Sequence, residues 1–296
     1  MNNKVTIVIP TFNRSKYVCD TIDGAISQTI PCDIIVCDHG SSDNTPEVVR
    51  KYGNKIQYIR RERDFGPNFC WLEGVLNAKT DIIHIHFDDD LLAPTYIEET
   101  MNYMSDDVGM VFTNANYINR ETNVLYDNPV LPIPEDWQTG ILKTSSLEKK
   151  LLHCFMISPS ACLFHKKEVV DAILSGNLPI DFGGGYHGVG ADLMMSLLVC
   201  LRYEKCVFIK KNLVSFGIHN ESITVNAGKN PERKKMFYDA YDSYRVYYQL
   251  LRLYKDNSYI RRKVSLKPSL LRRCYLIVKK LGNLLCGSSK KEFEDV

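Results

Sequence analysis

Three consecutive carboxylates, Asp88-Asp89-Asp90, follow directly on the apolar run Ile82–Phe87. Carboxylates this close repel one another unless something positive neutralises them. In extended backbone Asp88 and Asp90 point to the same side, about 7 Å apart. That spacing lets one reach a metal ion and the other a metal-bound water or a ribose. A hard cation such as Mg2+ or Mn2+ takes oxygen ligands and binds diphosphates with only one or two protein carboxylates. A solvated acidic turn capping the helix after Pro94 is the competing reading of the same triplet. His84 and His86 share the Asp88 side of a regular strand, either as buried support or as ligands. A fourth carboxylate, Asp192, heads the apolar stretch Leu193–Leu198, where a helix dipole favours negative charge.

The elements that must position these groups follow from hydrophobic periodicity. Val5–Ile9, Ile34–Cys37, Ile56–Ile59 and Ile82–Phe87 read as strands, and Tyr17–Thr29, Pro46–Tyr52, Phe69–Ala78 and Pro94–Met104 as helices. Strands that are apolar on both faces suit a mostly parallel sheet covered by helices, an α/β fold. In such folds ligands bind at the carboxyl ends of the strands. Three polar clusters lie there: Pro10-Thr11-Phe12-Asn13-Arg14, Asp38-His39-Gly40-Ser41-Ser42-Asp43 and Asp88-Asp89-Asp90. Residues 105–180 are less regular, with strand-like pieces at Val108–Thr113 and Ala161–Phe164. Asn230-Pro231 is a helix start, asparagine capping and proline filling the first turn, and the helix should reach about Tyr254. Its tyrosines 238, 241, 244, 247 and 248 recur at helical spacing, as a packing stripe or an acceptor surface.

The 296 residues are 45% hydrophobic and 24% charged, an ordinary soluble composition with enough chain for a substantial core. No apolar run approaches the ~18 residues of a bilayer-spanning helix. The opening apolar stretch is too short for a signal-peptide core and ends at Pro10, so a cytoplasmic protein is expected. Ten cysteines with no Cys-x-x-Cys pair fit free thiols in a reducing compartment. The net charge of +2 conceals an asymmetry: residues 261–291 hold ten of the 37 Lys and Arg and no Asp or Glu. In that tail Leu266, Leu270, Cys274, Ile277, Leu281 and Leu284 form one helical stripe, opposite Arg272, Arg273, Lys279 and Lys280. A basic face opposite an apolar stripe is the pattern of an interfacial helix on an anionic membrane, and equally of a helix packed on its own domain. With little aromatic content beyond Tyr275, the tail does not suggest nucleic-acid binding.

Taken in order, these motifs resemble those of family 2 inverting glycosyltransferases of the GT-A fold, over roughly residues 4–225. The strand and turn Val5–Arg14, the acidic loop Ile34–Thr45 and the metal motif Phe87–Pro94 carry the likeness. It implies a GT-A, Rossmann-like sheet as catalytic domain at 1–225, a helical extension at 226–260 and the basic tail at 261–296. It also implies a nucleotide-sugar donor lined by Pro10, Thr11, Phe12, Asn13, Arg14, Asp38, His39, Asp88 and Asp89. A divalent Mn2+ or Mg2+ would be held by Asp88, Asp90 and His219, the last from the segment Phe216–Thr224. Asp192 in Gly190-Ala191-Asp192 matches the family's catalytic base, behind a glycine-rich loop at 183–190 suited to an acceptor lid. His39 departs from the family's usual second aspartate, so the donor's base is left open. The acceptor is expected to be a glycan or a lipid-linked one, in bacterial surface polysaccharide or glycolipid synthesis, with the enzyme peripheral on the inner face of the membrane. A sugar-phosphate nucleotidyltransferase needs a glycine-rich loop after strand one, and Pro10–Arg14 has no glycine. A non-catalytic binding module of the same fold would be expected to have lost carboxylates that are present here, Asp90 and Asp192.

Overall fold

The computed structural model describes residues 4–153, 155–175, 189–220, 222 and 230–257. The lid glycines Gly183, Gly184, Gly185 and Gly188 and the basic tail at 261–296 lie outside them. Residues 1–248 form one compact unit and residues 249–296 a second.

The first unit is built on a mixed, mostly parallel ten-stranded sheet with the order β3-β2-β1-β4-β9-β6-β10-β5, to which β7 and β8 add at β6 and β10. Its strands are β1 Val5–Thr11, β2 Asp33–Asp38, β3 Gln57–Arg60, β4 Ile82–Ile85, β5 Leu91–Leu92, β6 Val108–Asn119, β7 Leu125–Tyr126, β8 Gly140–Lys143, β9 Cys162–His165 and β10 Lys205–Ile218. The helices are α1 Val18–Ile26, α2 Thr45–Arg50, α3 Pro67–Asn77, α4 Tyr96–Met101, α5 Thr144–Leu151, α6 Lys166–Ser175, α7 Ala191–Arg202 and α8 Pro231–Asp256. All seven residues of β1 are buried, as expected of a central strand covered on both faces.

Two features of this sheet decide the site. First, β1 runs parallel to both β2 and β4, so their carboxyl ends and the three polar loops share one edge. Second, β9 runs antiparallel to both β4 and β6, and β10 runs parallel to β6. β10 therefore points the same way as β4, and its carboxyl end, with His219, reaches the same edge. The short β5 pairs with Val214 and Ser215 of β10 and draws the aspartate turn against that strand.

Local sequence explains the boundaries. Pro46 and Pro67 occupy the first turns of α2 and α3, where a missing N–H costs nothing. Asn230 caps α8 as its sequence suggests, its Oδ1 accepting from the amides of Glu232 (2.9 Å) and Arg233 (3.2 Å). α7 is apolar almost all round and buried almost all round, packed against α5, α6 and β6. Five of the seven cysteines among the described residues are buried. No helix of the described residues is long and apolar enough to cross a membrane.

Candidate active site

The loop after β1 is held by the loop after β2. Asn13 takes a positive φ of 54°, tolerable for asparagine, and thereby turns its side chain into a bracket. Its Oδ1 accepts from the amides of Ser42 (2.8 Å) and Asp43 (3.3 Å), while its own amide donates to Ser41 Oγ (2.9 Å). The amide of Arg14 donates to Thr45 Oγ1 at 2.8 Å. Pro10 and Thr11 are buried, so here β1 presents backbone rather than side chains.

Asp38 is an organiser of its own loop. Its Oδ1 accepts from the amides of Gly40 (3.1 Å) and Ser41 (2.8 Å), and its Oδ2 accepts from the Tyr58 hydroxyl (2.7 Å) with Arg60 Nε at 3.5 Å. Its side chain is wholly enclosed, and these bonds fix the shape of the loop. His39, its neighbour, stacks on Phe12 at 4.7 Å and pairs through Nδ1 with Asp64 Oδ1 at 2.7 Å.

The aspartate turn gives three adjacent carboxylates three different surroundings. The Thr21 hydroxyl lies 3.0 Å from the backbone oxygens of both Asp88 and Asp90 and fixes the turn from α1. Asp88 faces the β1 loop, its Oδ2 accepting from the Phe12 amide (3.3 Å) and its Oδ1 lying 3.7 Å from Arg14 Nε. Burial, then the neighbouring Asp89 charge, pushes Asp88 up to about 7 against the pull of Arg14. Asp89 reaches the other way, to His219 Nε2 at 2.9 Å. The His219 ring is buried against Tyr17, centroids 4.5 Å apart, and its amide donates to Ser222 Oγ at 3.2 Å.

Asp90 lies deeper than its two neighbours. Read from sequence as a metal ligand, it is only 4% exposed and accepts from the Gly217 amide at 2.9 Å. Burial, with Asp89 close by, raises its pKa well above the usual carboxylate range, while Ser160 and Gly217 hydrogen-bond to it. The chain is not extended here: Asp90 N donates to Phe87 O at 3.1 Å, a turn that breaks the alternation expected to align Asp88 with Asp90. Asp89, not Asp90, meets His219. Gly217 makes this possible, because an added Cβ there would overlap the Asp89 carbonyl. Beneath the turn His84 and His86 are fully enclosed, His84 bonding Cys162 O at 2.8 Å. Burial lowers His84 to about 4 and His86 well below its ordinary value, so both are neutral support.

Asp192 sits at the head of α7, and its side-chain partner comes from α8. Oδ1 accepts from the Leu193 amide at 2.9 Å, and Oδ2 accepts from the Tyr241 hydroxyl at 2.9 Å. Burial is the largest influence and raises its pKa, while these hydrogen bonds act in the opposite direction. Sequence reasoning missed Thr21, Tyr17, Asp64, Ser160 and Arg120, the last stacked over Tyr17 and bonded to Asp20 Oδ2 at 2.8 Å. Single polar residues inside apolar stretches were the available signal, and they become legible only when packed.

The residues gathered here and the sheet that carries them define a class. A model described as glycosyl transferase family 2 matches residues 6–170, more than half of the chain, and the chain belongs to that family. An uncharacterized glycosyltransferase of Rickettsia typhi is 32% identical over 127 residues, which make up 41% of this chain and 39% of that protein. The match thus spans about two-fifths of that relative's length. An uncharacterized glycosyltransferase of Escherichia coli K12 is 26% identical across 75% of this chain and 63% of its own length. The architecture is the GT-A fold. Among solved structures, S. aureus TarS (residues 1–349, in complex with UDP-GlcNAc) superposes with a TM-score of 0.56 at 12% identity, over 90% of this chain and 77% of that one.

Proposed function

We propose that this chain transfers a sugar from a nucleoside-diphosphate sugar to an acceptor hydroxyl, with inversion at the anomeric carbon. The observation that carries the reading is the aspartate turn at the strand edge, where Asp88 meets the β1 loop and Asp89 meets His219. The amides and side chains of Phe12, Asn13 and Arg14 and the Phe12–His39 stack offer a surface for a nucleotide. TarS, solved with UDP and with UDP-GlcNAc, supports a nucleotide-sugar donor.

Asp89 and His219 are suited to hold a divalent cation, Mn2+ or Mg2+, with Asp88 beside them. They offer one oxygen and one nitrogen 2.9 Å apart, on a turn whose crowded carboxylates favour a cation. Among the described residues no three His, Cys, Asp or Glu side chains form a complete cage. The cation's remaining oxygens would come from the donor's phosphates and water. When bound, such an ion stabilises the charge that develops on the departing diphosphate. The protein's own work is to hold the donor against the β1 and β2 loops and to accept a proton at Asp192. As the acceptor oxygen attacks the anomeric carbon, its proton passes to the Asp192 carboxylate, the bond to the diphosphate oxygen breaks, and that oxygen leaves with the electron pair. Attack opposite the leaving group inverts the centre in a single displacement.

The acceptor in this reading is a glycan or a lipid-linked one in bacterial surface polysaccharide or glycolipid synthesis. The basic stripe at 261–291 then keeps the enzyme on the inner face of an anionic membrane. A thermal-shift panel of UDP-, GDP-, CDP- and dTDP-sugars with Mn2+ tests the core of the proposal. One donor should raise Tm with Mn2+ and lose its effect with EDTA; stabilisation that survives EDTA undiminished refutes the cation, and no response to any donor refutes the donor class. An α-linked gluco- or galacto-configured donor should give a β-linked product, read from the anomeric proton coupling.

A further inference from the structure

Helix α8 begins at Pro231, well beyond the segment 6–170 matched by the family model, yet it supplies two of the side chains around Asp192. The Tyr241 hydroxyl donates to Asp192 Oδ2 at 2.9 Å. One helical turn on, the Tyr244 ring lies against Gly190, where a Cβ would overlap it. Gly190 itself has φ +103°, in the left-handed region that glycine adopts without strain, and it forms the N-cap of α7. Tyr248, a turn further, is fully buried with its hydroxyl on Glu148 Oε1 at 2.5 Å. Arg245 is buried too, its Nε donating to Leu151 O at 2.9 Å. Tyr241 therefore approaches Asp192 from a helix anchored by its neighbours.

We infer that Tyr241 is a positioning residue for Asp192, donating to one carboxylate oxygen so that the side chain is held in a single orientation and in its ionised form. The inference rests on the assignment of Asp192 as the base. Without a donor, a carboxylate removed from water takes up a proton and is useless as a base near neutrality. Burial acts on Asp192 in that direction and the Tyr241 hydroxyl opposes it. Tyr241 keeps its own proton throughout: burial and then the Asp192 charge raise its pKa far above the working range. The proton taken from the acceptor goes to the carboxylate alone. Among the described residues, Tyr244, pushed up to about 12, is the other ionisable group that bears on Asp192, and Arg245 bears on Tyr241. The acidic groups of α5 and α6, the helices packed on α7, are engaged elsewhere, Glu148 with Tyr248, and Glu168 and Asp171 with Arg202.

The direction of the effect is fixed. Asp192 acts as a base only when deprotonated, so turnover rises with pH through its pKa. Removing the donor raises that pKa and moves the acid limb to higher pH. The test is Tyr241→Phe in the full chain, with Tyr248→Phe as the control that deletes a hydroxyl from the same helix. Aspartate labelled with 13C at Cγ is titrated by NMR in each, the Asp192 resonance being identified by its loss in Asp192→Asn. Tyr241→Phe should move the Asp192 midpoint upward by about one pH unit. Tyr248→Phe should lower Tm and leave the midpoint in place. With the donor found by thermal shift, hydrolysis of that nucleotide sugar should show the same displacement of the acid limb in kcat, with KM for the donor unchanged. A midpoint unmoved in Tyr241→Phe overturns the role of Tyr241 and leaves the base assignment standing. Wild-type turnover by Asp192→Asn overturns the base assignment itself.

Discussion

Asp89 and Asp90 are neighbours in the chain with different partners, and substitution should separate them. Asp89→Asn removes the charge while keeping a hydrogen-bonding group for the buried His219 ring. It should abolish the Mn2+-dependent part of donor affinity, measured by calorimetry, while leaving Tm nearly unchanged. Asp90→Ala instead leaves the part-buried Gly217 amide without its acceptor. That should cost about 1–3 kcal/mol of stability, seen as a lower denaturant midpoint. Asp90→Asn, which keeps an acceptor oxygen, should recover most of it. Equal loss of donor affinity with intact stability in Asp90→Ala would return Asp90 to the ligand set. Asp192→Asn should retain the fold and donor binding and reduce transfer by at least about 100-fold, the lower end of what general-base catalysis supplies.

At the scale of elements, β10 and the aspartate turn work as one piece. The strand passes so close to the Asp89 carbonyl that only glycine fits at 217. Gly217→Ala should therefore push β10 from the turn, lowering Tm and donor affinity together, whereas Asp89→Asn lowers only the second. The strand beneath the turn carries a pH signature of its own. His84 is fully buried and neutral, with its pKa depressed from 6.5 to about 4. The unfolded chain binds a proton there below pH 6.5 that the folded chain refuses until about pH 4. Stability from this residue is thus present above pH 6.5 and lost as pH falls toward 4. Urea denaturation across that interval should show a fall in stability, and His84→Leu should flatten it. An unchanged slope would mean that other groups control the acid limb of stability.

For the whole molecule, the charge distribution makes the clearest statement. Ten Lys and Arg between 261 and 291 without an acidic residue leave the rest of the chain net acidic. Each basic residue near an anionic surface is worth about 1 kcal/mol, so even half of them engaged hold a protein reversibly. The full chain should co-sediment with vesicles rich in anionic lipid, and a chain truncated before Arg261 should not. Raising salt should release it, since screening shortens the reach of surface charge to about 10 Å at 0.1 M. Equal partitioning of the two chains at that salt would remove the membrane from the proposal.

Much of this protein was legible from local pattern alone. The apolar runs of β1, β2 and β4 each carry enough β-branched residues to declare a strand, and each ends in a polar cluster. The parallel pairing that places those clusters on one edge follows from their being apolar on both faces. The start of α8 at Asn230-Pro231 was equally plain, because capping is a property of two or three adjacent residues. β10 was not, since Lys210-Lys211-Asn212 interrupt its alternation where the strand shifts register against β6. Nor was the insertion of β9 between β4 and β6, a choice among long-range pairings that no local signal encodes. The division of labour among Asp88, Asp89 and Asp90 depended on a tight turn at Phe87 and on the approach of Gly217 from 127 residues away. The tyrosine stripe of α8 showed its period in the sequence, but only packing decided that Tyr241 faces Asp192, Tyr248 faces Glu148 and Tyr238 faces water. Sequence fixes which groups exist and the period at which they recur; which of two adjacent carboxylates is buried is decided by what the rest of the chain brings to meet it.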